Sequence, residues 1–188
     1  EVEGTMGQFD DSFGGSIYLV ESVEDVGELK IDDPTKLSYV TQTTLSIDDT
    51  QAIMDSLKTR FPEIHGPKTN DICYATQNRQ DSVKQLALEC DLVLVIGSVN
   101  SSNSNRLREI AERGGVDSYL IDSLEDLDHK WLEGRSVIGI TSGASAPEHL
   151  VRELVALLQD KYSCSLYGEK ERADEGISFR LPKGLRTS

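Results

Sequence analysis

The chain has 188 residues, enough for one large domain or two small α/β units without disulfide staples. Its 33 acidic and 19 basic side chains give a formal net charge of −14, which opposes long-range attraction to nucleic acid or an anionic membrane. Three widely spaced cysteines, Cys73, Cys90 and Cys164, form no C-x-x-C pair, so free thiols or cofactor ligands in a reducing compartment fit better than bridges. No apolar run reaches the roughly 20 residues of a membrane span, and Glu1-Val2-Glu3-Gly4 is unlike a signal peptide. The expectation is a cytoplasmic protein whose partners are small molecules or proteins, with no nucleic acid and no membrane.

Ile17 to Val20 reads as a short strand, and Ser22 with Asp25 three residues later opens a short helix through Val26 and Leu29. Leu37 to Val40 reads as a second strand. It runs into Thr41-Gln42-Thr43-Thr44-Leu45-Ser46, and a helix to Phe61 follows, with Ile53, Met54, Leu57 and Phe61 at helical spacing and Pro62 as its stop. The stretch from Gly66 to Asn70 reads as a linker. Beyond Asp71 to Thr76, the residues Val83, Leu86, Ala87 and Cys90 mark one helix face. Leu92 to Ile96 is a buried strand, Asn103-Ser104-Asn105 starts a helix through Leu107, Ile110 and Ala111, and Gly114-Gly115 closes it. Strands at Tyr119 to Ile121 and Ser136 to Ile140 follow. Pro147 falls at the first turn of a long amphipathic helix through Leu150, Leu154, Leu157 and Leu158, and Ile177 to Leu181 in the tail reads as one more strand. Alternating strands and helices predict α/β units with a parallel sheet.

Three loops share one chemistry: Thr41 to Ser46, Ser98 to Asn105, and Thr141 to Ser145 are rich in hydroxyls and amides, and each stands between a strand and a helix. Ligands of open α/β folds bind at the carboxyl ends of the strands, and a helix N-terminus offers free N–H groups and positive dipole to an anion. The three loops together would therefore suit a phosphate or diphosphate held by neutral donors. Helix capping alone accounts for any one of them, because Ser and Asn favour N-caps. No G-x-x-x-x-G-K-[ST] or G-x-G-x-x-G run is present. Gly143-Ala144-Ser145-Ala146-Pro147 partly matches the nucleophile elbow of hydrolases, but Pro147 replaces its second glycine, and His65, His129 and His149 suggest neither a triad nor metal-ligand spacing. Cys90 falls on an apolar helix face and Cys164 in the tail. Cys73 stands at a junction from which it could reach the pocket, although spacing alone favours an inert buried thiol.

Taken in order and spacing, Glu1 to Gln8, Thr41 to Ser46, Asp71 to Thr76, Asn78 to Gln80, Asn100 to Leu107 and Gly143 to Pro147 give a closer pointer. With these motifs the chain resembles, over nearly its whole length, the C-terminal part of the 4-hydroxy-3-methylbut-2-enyl diphosphate reductases, the LytB-type oxidoreductases of non-mevalonate isoprenoid biosynthesis. The resemblance implies reductive removal of an allylic hydroxyl from a diphosphate substrate at a [4Fe-4S] cluster, giving isopentenyl and dimethylallyl diphosphate. It implies electrons from an external ferredoxin or flavodoxin. Cys73 matches the third cluster ligand, Glu1 the acidic proton donor and Thr43 a threonine beside the substrate hydroxyl. Ser101, Ser102, Asn103 and Ser145 match diphosphate ligands. The family arrangement is a trefoil of three α/β units around a central site. Residues 1–66 would then end the second unit, 67–160 form the third, and 161–188 make a C-terminal tail.

Two further cluster cysteines and the pocket histidines of the family have no counterpart in this sequence, and Cys90 and Cys164 lie in no matching motif. One cysteine cannot hold a four-iron cluster. The chain is therefore read as a portion of a longer protein, inactive alone. The alternative is a non-catalytic diphosphate-binding α/β module.

Overall fold

The computed structural model of the chain describes residues 2–67 and 72–167. Strand β1 (Leu92–Ile96) is the centre of a three-stranded parallel sheet, flanked by β2 (Asp117–Ile121) on one side and β3 (Ile138–Ser142) on the other. Leu92 stands opposite both Asp117 and Ile138, and Ile96 opposite Ile121 and Ser142. All five β1 residues are buried, as a continuous apolar run predicts for a strand covered on both faces.

Alternation along β1 divides the core. Val93 and Val95 face a layer formed by α4 (Tyr74–Glu89) and α5 (Ser102–Arg113), where they meet Val83, Ala87, Leu107, Ile110 and Ala111. Leu92, Leu94 and Ile96 face α6 (Glu148–Tyr162) and the turns after β2, meeting Leu127, Leu132, Leu154 and Leu158. Tyr119 and Trp131 stack in parallel over that second layer, with centroids 4.0 Å apart. The connections leaving β1 and β3 thus cover opposite faces, so the carboxyl ends of these neighbouring strands flank a crevice.

The expected strand at Ser136 to Ile140 begins two residues later. The Asp91 carboxylate accepts hydrogen bonds from the backbone N–H groups of Ser136 and Val137, at 2.7 and 3.1 Å, which diverts both donors from a ladder. Helix α5 begins earlier than the Asn103-Ser104-Asn105 signal predicts. Ser101 is its N-cap, accepting from the Ser104 N–H at 3.2 Å, and Gly115 beyond the helix end takes a positive φ of 84°.

A smaller cluster precedes the sheet. It joins α2 (Val23–Glu28) to α3 (Ile47–Arg60) through Val26, Leu57 and Phe61, behind the short helix α1 (Val2–Gly7). Ser22 and Asp25 form the expected capping box, and three backbone N–H and hydroxyl donors hold the Asp25 carboxyl below its ordinary pKa, led by the Glu21 N–H. The Arg60 guanidinium donates to the Val26 and Leu29 carbonyls at the end of α2.

Two strand expectations are corrected here. Ile17 to Val20 joins no ladder, and Leu37 to Val40 makes a single parallel bridge, Ser38 to His65. Their apolar alternation suits a strand, but Ile17, Tyr18, Leu19 and Val40 are exposed; extended backbone becomes a strand only where a neighbouring ladder takes its N–H and C=O groups. Glu1 and the Ile177 to Leu181 tail strand lie outside the described residues.

Candidate functional site

The first hydroxyl-rich loop, 41–46, is fastened to the start of α4. The Cys73 N–H donates to the Thr43 carbonyl at 3.0 Å, and the buried Gln80 donates its Nε2 to the Leu45 carbonyl at 3.1 Å. Cys73 is the N-cap residue of α4 and its thiol is exposed. Thr43 is exposed too, whereas the neighbouring Thr44 Oγ1 is buried with no partner among the described residues.

In the second loop most polar groups hold the loop itself. Ser98 Oγ accepts from the Asn100 N–H at 3.3 Å, and Ser101 Oγ accepts from both the N–H and the hydroxyl of Ser104. Asn105 donates Nδ2 to the carbonyls of Val99 and Ser101, at 2.7 and 3.0 Å. Ser102 is left exposed at the first position of α5. Asn103 is only 6% exposed, yet neither Nδ2 nor Oδ1 has a hydrogen-bond partner among the described residues.

The third loop comes against the second. The Gly143 N–H donates to the Ile96 carbonyl at 2.8 Å, extending the β1–β3 pairing past the strand ends. Gly97 and Gly143 both face Ser104, and a Cβ added to Gly143 would stand 3.6 Å from Asn103 Nδ2. Asn103 therefore lies in the crevice between β1 and β3, at the N-terminus of α5. Ser145 is exposed in the adjoining turn before α6.

The first and second loops face each other across a cavity of about 330 Å³ lined by Gln42, Thr44, Asn100, Ser102, Asn105 and Arg106, among others. Ion pairs tie α3 to α4 and α5. Asp49, in the first turn of α3, accepts from Arg106 at 3.0 Å and from Arg113 at 2.7 Å, and Lys84 reaches Asp48 at 2.8 Å, which raises the lysine pKa. The structure thus places Ser102 on the cavity that faces Gln42 and Thr44, and Asn103 in the β1–β3 crevice beside Gly143, with Cys73 bonded to the Thr43 carbonyl. Gln80 falls in the Asn78 to Gln80 motif and Arg106 in Asn100 to Leu107, whereas Asp49, which also fixes the loops, lies in none of the quoted motifs.

As a ligand set for a metal cluster, the described residues are incomplete. Cys90 sits at the opposite end of α4 from Cys73, and burial together with Glu89 and Asp91 pushes its thiol pKa up. Cys164 packs against the apolar cluster under α6. No group of three His, Cys, Asp or Glu side chains that could hold a metal ion occurs among the described residues. One exposed thiol at a helix N-terminus can serve as a single ligand, but it does not by itself fit a four-iron cluster.

Comparison with known proteins gives a consistent picture. A solved structure named as the E-1-hydroxy-2-methyl-but-2-enyl-4-diphosphate reductase of Plasmodium falciparum superposes with a TM-score of 0.76 at 37% identity, covering 89% of this chain and 53% of that one. The 4-hydroxy-3-methylbut-2-enyl diphosphate reductase of Saccharophagus degradans is 63% identical over 99% of this chain and 60% of its own length. That of Pseudomonas fluorescens is 60% identical over 99% of this chain and 59% of its own length. The chain thus spans about 60% of the length of the curated relatives it matches. The family model described as LytB protein matches residues 1–159, so the chain belongs to the LytB family.

Proposed function

We propose that this chain supplies the diphosphate-binding wall and one cluster ligand of a reductase that converts 4-hydroxy-3-methylbut-2-enyl diphosphate to isopentenyl and dimethylallyl diphosphate. In the overall reaction the allylic C–O bond breaks, two electrons and two protons enter, and the hydroxyl leaves as water. An iron–sulfur cluster would supply the electron-transfer chemistry, fed by a ferredoxin or flavodoxin. Cys73 is assigned as one thiolate ligand, and the remaining ligands come from outside the described residues. Residues 1–66 and 67–160 are assigned to successive α/β units of a trefoil, a division supported by their separate apolar clusters, and 161–188 to the tail.

Asn103 carries this reading. A buried amide with no partner costs about 1–3 kcal/mol, a cost that a ligand hydrogen bond removes. Its place at the β1–β3 crevice, beside the N-terminus of a 12-residue helix, suits an anion. Ser102 and Ser145 are exposed beside it and free to turn toward a diphosphate. Ser101 Oγ already accepts from Ser104, so its remaining role toward an anion is to donate its own hydroxyl proton. Thr43 is assigned to the substrate hydroxyl and Glu1 to proton delivery there.

Asn103→Leu, close in size, tests the assignment in the full-length reductase formed by joining this chain to the complementary part of a relative. The substitution should raise the Tm of the ligand-free protein while abolishing inhibition by pyrophosphate. Undiminished inhibition would remove the diphosphate site from this crevice. In the same protein reconstituted with iron and sulfide, Cys73→Ser should lose cluster absorbance and activity together, and retention of both would sink the ligand assignment.

A second reading, a diphosphate-binding module without redox chemistry, rests on the same buried Asn103 amide and neutral loop donors. It requires the 188-residue chain alone to bind pyrophosphate, and calorimetry showing no binding at millimolar ligand would eliminate it.

A further inference from the structure

The two walls of the proposed site belong to different parts of the fold. The loop carrying Thr43 leads into α3, whereas Ser102 and Asn103 begin α5. Asp49 joins these two helices directly. Its two carboxylate oxygens are divided between two arginines of α5: Oδ2 accepts from Arg106 and Oδ1 from Arg113. Those arginines stand seven residues apart, two helical turns along one face, so the carboxylate fixes the orientation of α5 as well as its distance. Arg106 also lines the cavity between the loops and is held by Glu109 at 2.9 Å.

We infer that Asp49 is a positioning residue that sets the separation between the Thr43 wall and the Ser102–Asn103 wall, and thereby where the reacting end of a bound diphosphate falls. The inference rests on the reading of the site proposed above. Pyrophosphate needs only the α5 wall, whereas the substrate must reach both. Loss of the link therefore misplaces the reacting end without releasing the anionic end.

The test uses Asp49→Asn in the full-length, cluster-loaded reductase, with Arg106→Gln cutting one of the two links from the other helix. Both variants should lower kcat about tenfold, a size compatible with two partly exposed ion pairs. The substrate KM, the pyrophosphate inhibition constant and the cluster absorbance should each stay within about twofold of wild type. A merely structural role would instead weaken pyrophosphate inhibition in step with kcat. Unchanged kcat in both variants, or parallel loss of kcat and pyrophosphate inhibition, would overturn the positioning role. If the wild-type reductase is not inhibited by pyrophosphate at all, the site reading itself fails, and the two failures are thereby distinguished.

Discussion

Ser104 is packed between two glycines, and this explains why the second and third loops approach so closely. A Cβ on Gly97 would come within 2.8 Å of Ser104 Cβ and closer still to its hydroxyl, which is tethered to Ser101. A Cβ on Gly143 would meet the hydroxyl as closely but stay 3.5 Å from Ser104 Cβ. Gly143→Ala should therefore cost about 1–3 kcal/mol by overpacking. Ser104→Ala, which removes the hydroxyl alone, should recover much of that loss for Gly143→Ala and little for Gly97→Ala. Urea denaturation of the single and double variants measures this coupling, and equal rescue at both glycines would contradict the geometry. The sequence displays Ser104 as one hydroxyl among four in its tract; that it is buried as a spacer, while Asn103 beside it is buried with no partner among the described residues, depends on the opposing loop.

At the scale of elements, the clasp at the amino ends of β1 and β3 is electrostatic. Asp91 accepts from the Ser136 and Val137 N–H groups while Arg135 stands nearby, and these together, the Ser136 bond foremost, hold its carboxyl below the ordinary range. A carboxyl whose folded pKa is depressed stabilises the fold above its unfolded value of about 3.9 and loses that contribution as the pH falls through the folded value. Asp91→Asn should therefore lower Tm at neutral pH, and the gap from wild type should narrow below about pH 4. Thermal melts across that range decide it; a gap that persists unchanged in acid would mean that the carboxylate charge is not responsible. The same clasp explains why β3 starts later than its apolar pattern suggests. Periodicity registers which residues are apolar, not which N–H groups a distant carboxylate has taken. Ile17 to Val20 shows the complementary limit, since alternation there has no ladder to join.

Across the whole molecule, an excess of acidic side chains coexists with a site whose donors are neutral apart from Arg106, itself paired with Asp49 and Glu109. With a net charge of −14, no long-range attraction draws an anion in, so local N–H groups, hydroxyls and amides must do the binding. Pyrophosphate association should accordingly not slow as salt rises to about 0.15 M, where the Debye length is about 8 Å. Stopped-flow association at several salt concentrations checks this, and steep slowing would reveal cationic steering. The sequence by itself determined the α/β class, the central buried strand, most helix limits and the three polar loops, because burial on both faces, helical spacing and capping chemistry are local properties of the chain. Tertiary structure alone decided which of the loop groups are free. Ser98, Ser101, Ser104 and Asn105 serve the loop, Asn103 has no partner among the described residues, and Asp49 ties α3 to α5 through contacts more than fifty residues distant, which no local pattern encodes.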